Sequence, residues 1–242
     1  MYEYGWRIAF LLSLPLGIFA FFIRLKMSES PEFTNSNADK NPIIESFKKY
    51  KLTLLTCLGV IYLHATSFYF TFMFIPVFLT KVRHLKESAA LIHNTGFLLL
   101  HLCLIPLFGL IVNRIGGIKS LRYISTTFLI LSIPSFYLIS HGDKNSIITG
   151  FLLLSIMTAI NAAIIPGLLT ELIPEKVRYT ILASVFNIGF GIFGGLTPVI
   201  CLLFINKINY TILPGIYLMF VSGITLFTSY VLKPVILEYR KD

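Results

Sequence analysis

Residues 166–198 read PGLLTELIPEKVRYTILASVFNIGFGIFGGLTP, two apolar segments separated by a charged turn that contains a proline. The apolar segments extend in both directions, to residues 146–170 before the turn and 180–205 after it. A helix needs ~20 apolar residues to cross ~30 Å of hydrocarbon. The stretch therefore predicts two membrane-spanning helices joined by a short turn at the membrane surface.

The same pattern recurs along the chain of 242 residues, which is 56% hydrophobic and has a mean hydropathy of +0.82. The first apolar run is not a secretory signal, because it ends in Arg24 and Lys26 without a small-residue cleavage site. The sequence predicts an all-α polytopic membrane protein with seven transmembrane helices. The seven runs are residues 6–25, 52–79, 89–112, 121–140, 146–170, 180–205 and 212–232.

One long polar connection divides the predicted helices. We predict a lone first helix in residues 1–26, a cytoplasmic linker in residues 27–51 and a compact six-helix bundle in residues 52–242. A six-helix bundle that follows a linker is the layout expected for the second half of a twelve-helix transporter. The lone helix is then interpreted as the last helix of an N-terminal transporter half.

The net charge of +9 is explained by topology rather than by nucleic-acid binding. The positive-inside rule places Lys and Arg on the cytoplasmic side, which predicts an outside N-terminus and a cytoplasmic C-terminus. The loop with Lys81, Arg83 and Lys86 is the exception. With this orientation, 14 of the 20 Lys and Arg residues lie inside, in residues 24–51, 113–122, 171–180 and 233–242.

The opening stretch contains a literal G-x-G-x-x-G at Gly189, Gly191 and Gly194. A dinucleotide site would need a strand before these glycines and an acidic residue about 20 positions later. Here the glycines lie inside an apolar run and no acidic residue follows at that distance, so a nucleotide site is excluded. Gly191 and Gly195 instead form a small-x-x-x-small pair that predicts close helix packing.

Polar side chains within the spans must pair with one another or face a cavity. We predict that His64, Tyr69, Asn161 and Asn187 line a central substrate cavity, in which aromatic faces could hold a quaternary ammonium. The alternative is that these residues only form hydrogen bonds between helices. His64 or His101 could titrate near neutral pH, although a lone histidine within a membrane more often serves as a packing donor.

Other chemistries find little support in the sequence. Cys57, Cys103 and Cys201 share no short spacing, so no metal site and no cofactor are predicted, and the chain is not expected to be an enzyme. The second to fourth spans contain no Asp or Glu. A proton-coupled carrier usually needs a buried carboxylate, so any such acid is expected elsewhere.

The charged turn at Pro174 is predicted to end the preceding helix and to force Ile173 out of the helical region. Glu171 and Arg178 bracket the turn and are predicted to pair across it. An ordinary solvated turn would also carry charges, so both interpretations stand.

Two motifs resemble the metabolite:H⁺ symporter branch of the major facilitator superfamily, with the nearest likeness to proline/betaine transporters. The stretch ELIPEKVRYTILASVFNI (171–188), followed by GGLTP (194–198), resembles the tenth and eleventh helices of that branch. GWRIAFLLSLPLGIFAFFIRLKMSESPEF (5–33) resembles its sixth helix, and Tyr69 to Pro76 its seventh. The resemblance therefore implies helices six to twelve of a transporter.

The resemblance also implies gating motifs. Glu171, Pro174 and Arg178 would form a cytoplasmic gating turn. GLIVNRIGGIKS (109–120) resembles the superfamily's G-x-x-x-D-R-x-G-R-R-K loop but has Asn113 where an Asp is expected. The absence of this charge is expected to weaken the gate. The positions that match the loop pattern are Gly109, Arg114, Gly116 and Lys119.

Together these features predict the C-terminal portion of a proton-coupled secondary transporter for a small zwitterionic or organic-acid metabolite, located in the inner membrane. Its expected partners are the lipid bilayer, the solute with H⁺, and a separate N-terminal half-transporter. The chain alone is expected to be incomplete and inactive. The alternative is a non-transporting membrane subunit or an inactive gene fragment.

Overall fold

The computed structural model describes residues 5–11, 13–26, 49–208 and 210–239, and these residues form helices and short turns without a strand. The chain divides into two compact units, Met1–Ala38 and Asp39–Asp242. The boundary falls within the predicted linker 27–51, most of which lies outside the described residues. The assignment of three domains therefore stays a prediction.

The first unit contains helices α1 (Gly5–Leu11) and α2 (Ser13–Lys26). Large apolar side chains on both helices are exposed, among them Phe10 and Phe19. Neither helix alone reaches the ~20 residues that a membrane crossing requires. The first of the seven predicted spans therefore stays a prediction.

The second unit contains six helical spans that are long and apolar enough to cross a membrane, as the sequence predicts for residues 52–242. Two of these spans are interrupted, so the unit has eight α-helices among its described residues. They are α3 (Lys51–Tyr69), α4 (Ile75–Lys81), α5 (Glu87–Ile115), α6 (Gly117–His141), α7 (Lys144–Leu172), α8 (Arg178–Ile188), α9 (Gly195–Ile208) and α10 (Leu213–Tyr239).

A π-helical turn interrupts each of the two broken spans. Phe70–Phe74 separates α3 from α4, and Gly189–Gly194 separates α8 from α9. In the first turn the Ile75 N–H donates to the carbonyl of Phe70, five residues earlier. A π-helical turn inserts one residue into a helix and is frequent at functional sites. The two turns therefore mark the middle of these spans as the place to search for a site.

The α3–α4 span lies at the centre of the bundle, where it packs against α7, α10 and the α8–α9 span. Its most apolar segment is 67% buried, whereas that of α5 is 11% buried. On α5 only Ala90, His101 and Val112 are buried. His101 is thus one of the few α5 side chains that reach the interior.

Glycines allow the α8–α9 span to approach α3, but not the glycines that the sequence predicts. A Cβ at Gly194 would lie 2.7 Å from the Tyr69 ring, and one at Gly189 would lie 2.8 Å from Ile61. A Cβ at Gly191 would meet nothing within 4 Å, and one at Gly195 only a carbonyl of its own span at 3.7 Å. The predicted Gly191–Gly195 packing pair is therefore wrong within the described bundle, because the π-helical turn rotates a different face toward α3.

Candidate functional site

His64 lies on α3, about one and a half helical turns before its end at Tyr69, and is only 8% exposed. Its ring meets the Phe190 ring nearly perpendicularly, at a centroid distance of 5.3 Å. The Nδ1 atom is buried and has no hydrogen-bond partner in the described bundle. Buried polar atoms in proteins are normally paired, so a buried nitrogen without a partner calls for an explanation. Binding of a ligand or a proton at Nδ1 would provide one.

His101 reaches the same region from α5. Its ring centroid lies 5.1 Å from that of Phe72 and 6.0 Å from that of Phe68. Its Nδ1 is also buried without a partner among the described groups. The two histidines are close enough to interact electrostatically, although they are 37 positions apart in the sequence.

Tyr69 lies near the same aromatic rings as the two histidines, since its ring centroid is 6.3 Å from that of Phe190. Phe68 links the two sides, since its ring lies 6.3 Å from that of Phe190 and 6.1 Å from that of Tyr69. We call this group the aromatic–histidine cluster. Its members are His64, Phe68, Tyr69, Phe72, His101 and Phe190.

Asn161 lies on α7 with its side chain fully buried, and neither its amide nitrogen nor its amide oxygen has a partner among the described residues. One turn earlier, the hydroxyls of Thr158 and Thr71 lie 3.3 Å apart, which ties α7 to the π-helical turn after α3. An unpaired buried amide costs about 1–3 kcal/mol. Asn161 therefore offers a donor and an acceptor at a place where the fold uses neither.

Asn187 is arranged differently. Its side chain is exposed on α8, and its Nδ2 donates to the carbonyl of Ala183 at 2.8 Å. The hydrogen bond is therefore made within its own helix. The role of Asn187 in a substrate site stays a prediction, while His64 and Tyr69 are brought together.

The surroundings of the cluster are neutral. The runs 52–79, 89–112, 146–170 and 180–205 contain no Asp, Glu, Lys or Arg. Among the described residues no group of three or more His, Cys, Asp and Glu is placed to hold a metal ion. The cluster offers aromatic faces and two imidazoles, and the unpaired amide of Asn161 lies on α7, which packs against α3. These groups suit a ligand without excess charge.

Two apolar grooves on the surface of the bundle lie away from this cluster. One, of about 140 Å³, is lined by Phe108, Tyr123 and Ile160 among others. The other, of about 490 Å³, is lined by Leu129, Phe220 and Phe227 among others. The lining of the first groove includes the hydroxyl residues Ser120, Tyr123 and Thr127 among mainly apolar side chains, whereas the lining of the second has no polar side chain.

The charged turn between α7 and α8 follows the sequence prediction at the backbone. Helix α7 ends at Leu172, and Ile173 is extended (φ −104°, ψ 127°) before Pro174. The ion pair of Arg178 differs from the one that the sequence predicts. Arg178 lies 4.0 Å from Glu175 and donates from Nε to the Ile173 carbonyl at 3.3 Å.

The predicted partner Glu171 is exposed at the end of α7. Glu175 is three residues from Arg178, a spacing at which helical side chains are neighbours. The three-residue 3₁₀ turn Glu175–Val177 gives Arg178 this nearer partner. The pairing of Arg178 with Glu175 thus replaces the predicted pairing with Glu171.

The loop between α5 and α6 is built around Gly116, whose φ of +92° favours glycine. Asn113 and Arg114 are exposed just before it, and a Cβ at Gly109 would meet nothing within 4 Å. A Cβ at Gly117 would lie 3.2 Å from the Leu168 side chain of α7. The structure thus explains the glycine turn, whereas a gating role of the exposed side chains stays a prediction.

Sequence analysis missed Arg122 as a structural residue. From α6 its Nη2 donates to the Ser229 carbonyl of α10 at 3.0 Å, and its guanidinium lies 4.2 Å from the centre of the Tyr230 ring. The sequence shows only a cation near the start of an apolar run. The contact joins residues 107 positions apart, and no local pattern indicates it.

The fold and the cluster define a polytopic helical membrane protein with a neutral polar site buried among its spans. Residues 1–198 match the family model of the Major Facilitator Superfamily. The chain therefore belongs to this superfamily. No solved structure gives a significant match.

Curated relatives are similar to nearly the whole chain. The proline/betaine transporter of Escherichia coli (strain K12) is 28% identical over 244 residues, covering 96% of this chain and 49% of the relative. The ectoine/proline transporter ProP of Corynebacterium glutamicum is 28% identical over 238 residues, covering 93% and 47%. A putative proline/betaine transporter of Staphylococcus aureus (strain MSSA476) is 29% identical over 230 residues, covering 93% and 49%. The chain thus spans about half the length of these transporters.

Proposed function

We propose that these 242 residues act as the C-terminal portion of a secondary transporter that carries a small zwitterionic or organic-acid solute together with a proton across the inner membrane. The other half of the transporter is supplied either by further residues of a longer chain or by a separate polypeptide. Alternating access requires two six-helix halves around a midplane site. The chain alone is therefore expected to bind solute but not to transport it.

The buried, unpaired polar atoms of His64 and Asn161 are the observation that carries this proposal. The Asn161 amide can donate to a carboxylate, and the rings of Phe68, Tyr69 and Phe190 suit an alkylated ammonium through cation–π attraction. A zwitterion offers both groups on one small molecule. The relatives are named as transporters of proline, betaine or ectoine, which agrees with this class of solute.

The proposed orientation has the N-terminus outside and the C-terminus in the cytoplasm. It rests on the positive-inside rule and on the 14 Lys and Arg residues assigned to the inner side. The α7–α8 turn with Glu171, Pro174 and Arg178 then lies in the cytoplasm, as does the α5–α6 loop with Gly109, Asn113 and Gly116. Cysteine labelling of Ser88→Cys and Lys119→Cys, both at exposed positions, with a membrane-impermeant reagent in intact cells tests this assignment. Labelling of position 119 but not position 88 would reverse it.

A binding measurement tests the proposed solute site. The chain is purified into lipid nanodiscs and titrated with radiolabelled proline and glycine betaine. We expect saturable binding that is lost in Asn161→Leu, because Leu removes both hydrogen-bonding atoms. The matched control is Asn145→Leu, the same change at an exposed position of the same helix. Equal binding by wild type and Asn161→Leu would remove Asn161 from the site, and no binding of either solute would contradict the proposal.

A transport measurement tests whether this chain needs the other transporter half for activity. Proteoliposomes that contain only this chain are expected to show no proton-driven solute uptake, because one half lacks the opposing wall of the site. Uptake by the chain alone would show that it is a complete carrier.

A membrane subunit without transport activity is the second candidate. Asn113 favours it, because the α5–α6 loop lacks the acidic residue of the family pattern. Affinity capture from native membranes separates the two candidates. A co-purified polypeptide with the first transporter helices would favour the transporter, whereas recovery in a complex of non-transport proteins would favour the subunit.

A further inference from the structure

We propose that His64 and His101 together hold one proton, and that this proton crosses the membrane paired with the carboxylate of the solute. The inference rests on the proposed transport function and names the proton-binding group of the same site. Two observations carry it: the shared position of the two rings in one buried cluster, and the missing partners of their Nδ1 atoms.

The two imidazoles come from helices that differ in their surroundings. His64 lies on the most buried span, and His101 lies on α5, where it is one of few buried side chains. Two phenylalanines lie between the imidazole rings. The Phe190 ring centroid is 5.3 Å from that of His64, and the Phe68 ring centroid is 6.0 Å from that of His101. A movement of α5 relative to α3 would therefore change the surroundings of both rings at once.

Apart from His93, no other side chain in the described runs that pack around the cluster is suited to exchange a proton near neutral pH. The runs that pack around the cluster contain no Asp, Glu, Lys or Arg, and Glu171 and Glu175 are exposed at the end of α7 and in the following turn. The other titratable side chains in these runs are tyrosines, cysteines and one further histidine. The ordinary pKa values of tyrosine and cysteine lie above neutrality. The residues are Cys57, Tyr62 and Tyr69 on α3, His93 and Cys103 on α5, Cys201 on α9, and Tyr217 and Tyr230 on α10.

Like charges held close together disfavour each other, so the second imidazole stays neutral once the first is protonated. In the proposed step, a proton from water on the outer side bonds to the unshared pair of Nδ1 on one ring. The imidazolium then pairs with the solute carboxylate, and the neutral second ring donates or accepts a hydrogen bond. On the inner side the N–H bond breaks and the proton returns to water, while the solute leaves chemically unchanged.

This arrangement makes proton and solute binding mutually dependent. An imidazolium binds a carboxylate more tightly than a neutral ring does, because the hydrogen bond is then charge-assisted. By linkage, the solute must raise the affinity for the proton by the same factor. Coupling thus follows from one shared site and needs no buried carboxylate.

Nitrogen NMR of the ¹⁵N-histidine-labelled chain in nanodiscs tests the shared proton directly. The five histidines are assigned by single His→Gln variants, and their tautomers are followed from pH 9 to pH 5 with and without glycine betaine. We expect one protonation event distributed over His64 and His101, with a midpoint that moves by about one pH unit in either single variant. His93→Gln on α5 is the matched control and is expected to leave that midpoint unchanged. Two rings that stay neutral to pH 5 in both conditions, or that titrate independently, would overturn the proposal.

Solute binding gives the second readout and separates the two levels of inference. We expect the Kd for glycine betaine to rise about tenfold for each unit by which the pH increases across the titration range, in wild type and in His93→Gln, because the protonated site binds the carboxylate more tightly. The double variant His64→Gln, His101→Gln is expected to bind with a pH-independent Kd. If wild type binds glycine betaine with a Kd that does not depend on pH, the proposal of a shared proton is wrong, but the proposed solute site still stands. An absence of binding would count against the proposed function, and the solute-free NMR titration would then decide the proton site alone.

Discussion

The middle of the bundle and the ends of its helices carry their polar groups in opposite ways. In the middle, His64, His101 and Asn161 are buried, and some of their polar atoms have no partner among the described residues. At the ends, Arg178 and Arg122 are charged and partly exposed. Each donates a hydrogen bond to a backbone carbonyl, although Arg122 Nε has no partner in the described bundle. The difference follows from solvation, because a charge within the spans would lose its water while a charge at an end keeps most of it.

The contrast also separates function from structure. An exposed ion pair contributes only a few tenths of a kcal/mol to the free energy of unfolding. An unpaired buried amide costs stability and is retained only where something else satisfies it. The paired ends are therefore explained by the architecture, whereas the buried atoms without partners in the middle are those that the proposed solute and proton would satisfy. Five measurements test this comparison.

The largest effect is expected where the two broken spans meet. Gly194→Leu should destabilise the bundle by roughly 2–3 kcal/mol, because its Cβ would lie 2.7 Å from the Tyr69 ring and overpack the contact. Gly191→Leu in the same π-helical turn should change stability by less than about 0.5 kcal/mol, since its Cβ meets nothing. Thermal unfolding in detergent, followed by size-exclusion chromatography, measures both. Equal losses would show that the turn itself, rather than the contact, limits stability.

Asn161→Leu should raise stability by about 1–2 kcal/mol while abolishing solute binding, because it removes an unpaired buried amide at similar volume. Asn145→Leu, at an exposed position of the same helix, should alter neither property. Unfolding and binding are measured on the same samples. A destabilised Asn161→Leu variant would mean that the amide has a structural partner and would break the comparison.

Arg122→Gln should cost about 1 kcal/mol, since it removes the hydrogen bond to the Ser229 carbonyl and the cation–π contact with Tyr230. Lys119→Gln nearby on α6 is exposed and should have no measurable effect. Solute binding should be unchanged in both variants. If Arg122→Gln lost solute binding but kept its full stability, the helix ends would also take part in solute binding, which would contradict the comparison.

The Glu175–Arg178 pair should contribute only a few tenths of a kcal/mol, because both side chains are about one-third exposed or more. A double-mutant cycle with Glu175→Gln and Arg178→Gln measures the coupling, and added salt should reduce it. The same cycle with Glu171→Gln should give no coupling. A larger value for Glu171 would favour the pairing predicted from the sequence.

The smallest effect is expected at Asp143, which caps the start of α7 by accepting the Ser146 N–H at 3.0 Å. The Ser146 hydroxyl and N–H lower the pKa of this exposed carboxyl below its usual value. A lowered pKa means that the cap contributes stability at neutral pH and loses it as the pH falls through the folded pKa. The difference between wild type and Asp143→Ala should therefore narrow below about pH 4. A difference that stays constant to pH 2 would show that the charge is irrelevant to the cap.

The spans after residue 51 could be predicted because apolar runs of membrane length leave the backbone no alternative to a helix. Pro174 could be predicted as a turn position, since proline restricts the local backbone. Gly116 could be predicted only as a match to the family's loop pattern, and its positive φ is a finding of the structure. The π-helical turns could not, because they arise where Phe70–Phe74 and Gly189–Gly194 adjust to packed neighbours. The same adjustment placed Gly189 and Gly194 in the contact, in place of the Gly191–Gly195 pair.

The sequence by itself determined the class of protein, the number and limits of the later spans, and the polar residues that deserved attention, because composition and local backbone preferences act over short segments. Only the tertiary structure decided that His64 and His101 share one cluster, that Asn161 is left unpaired and that Arg178 pairs with Glu175. Those relations depend on which helix faces which, and on rotations of a fraction of a turn. Such rotations are set by the packing of the whole bundle, and no short segment encodes them.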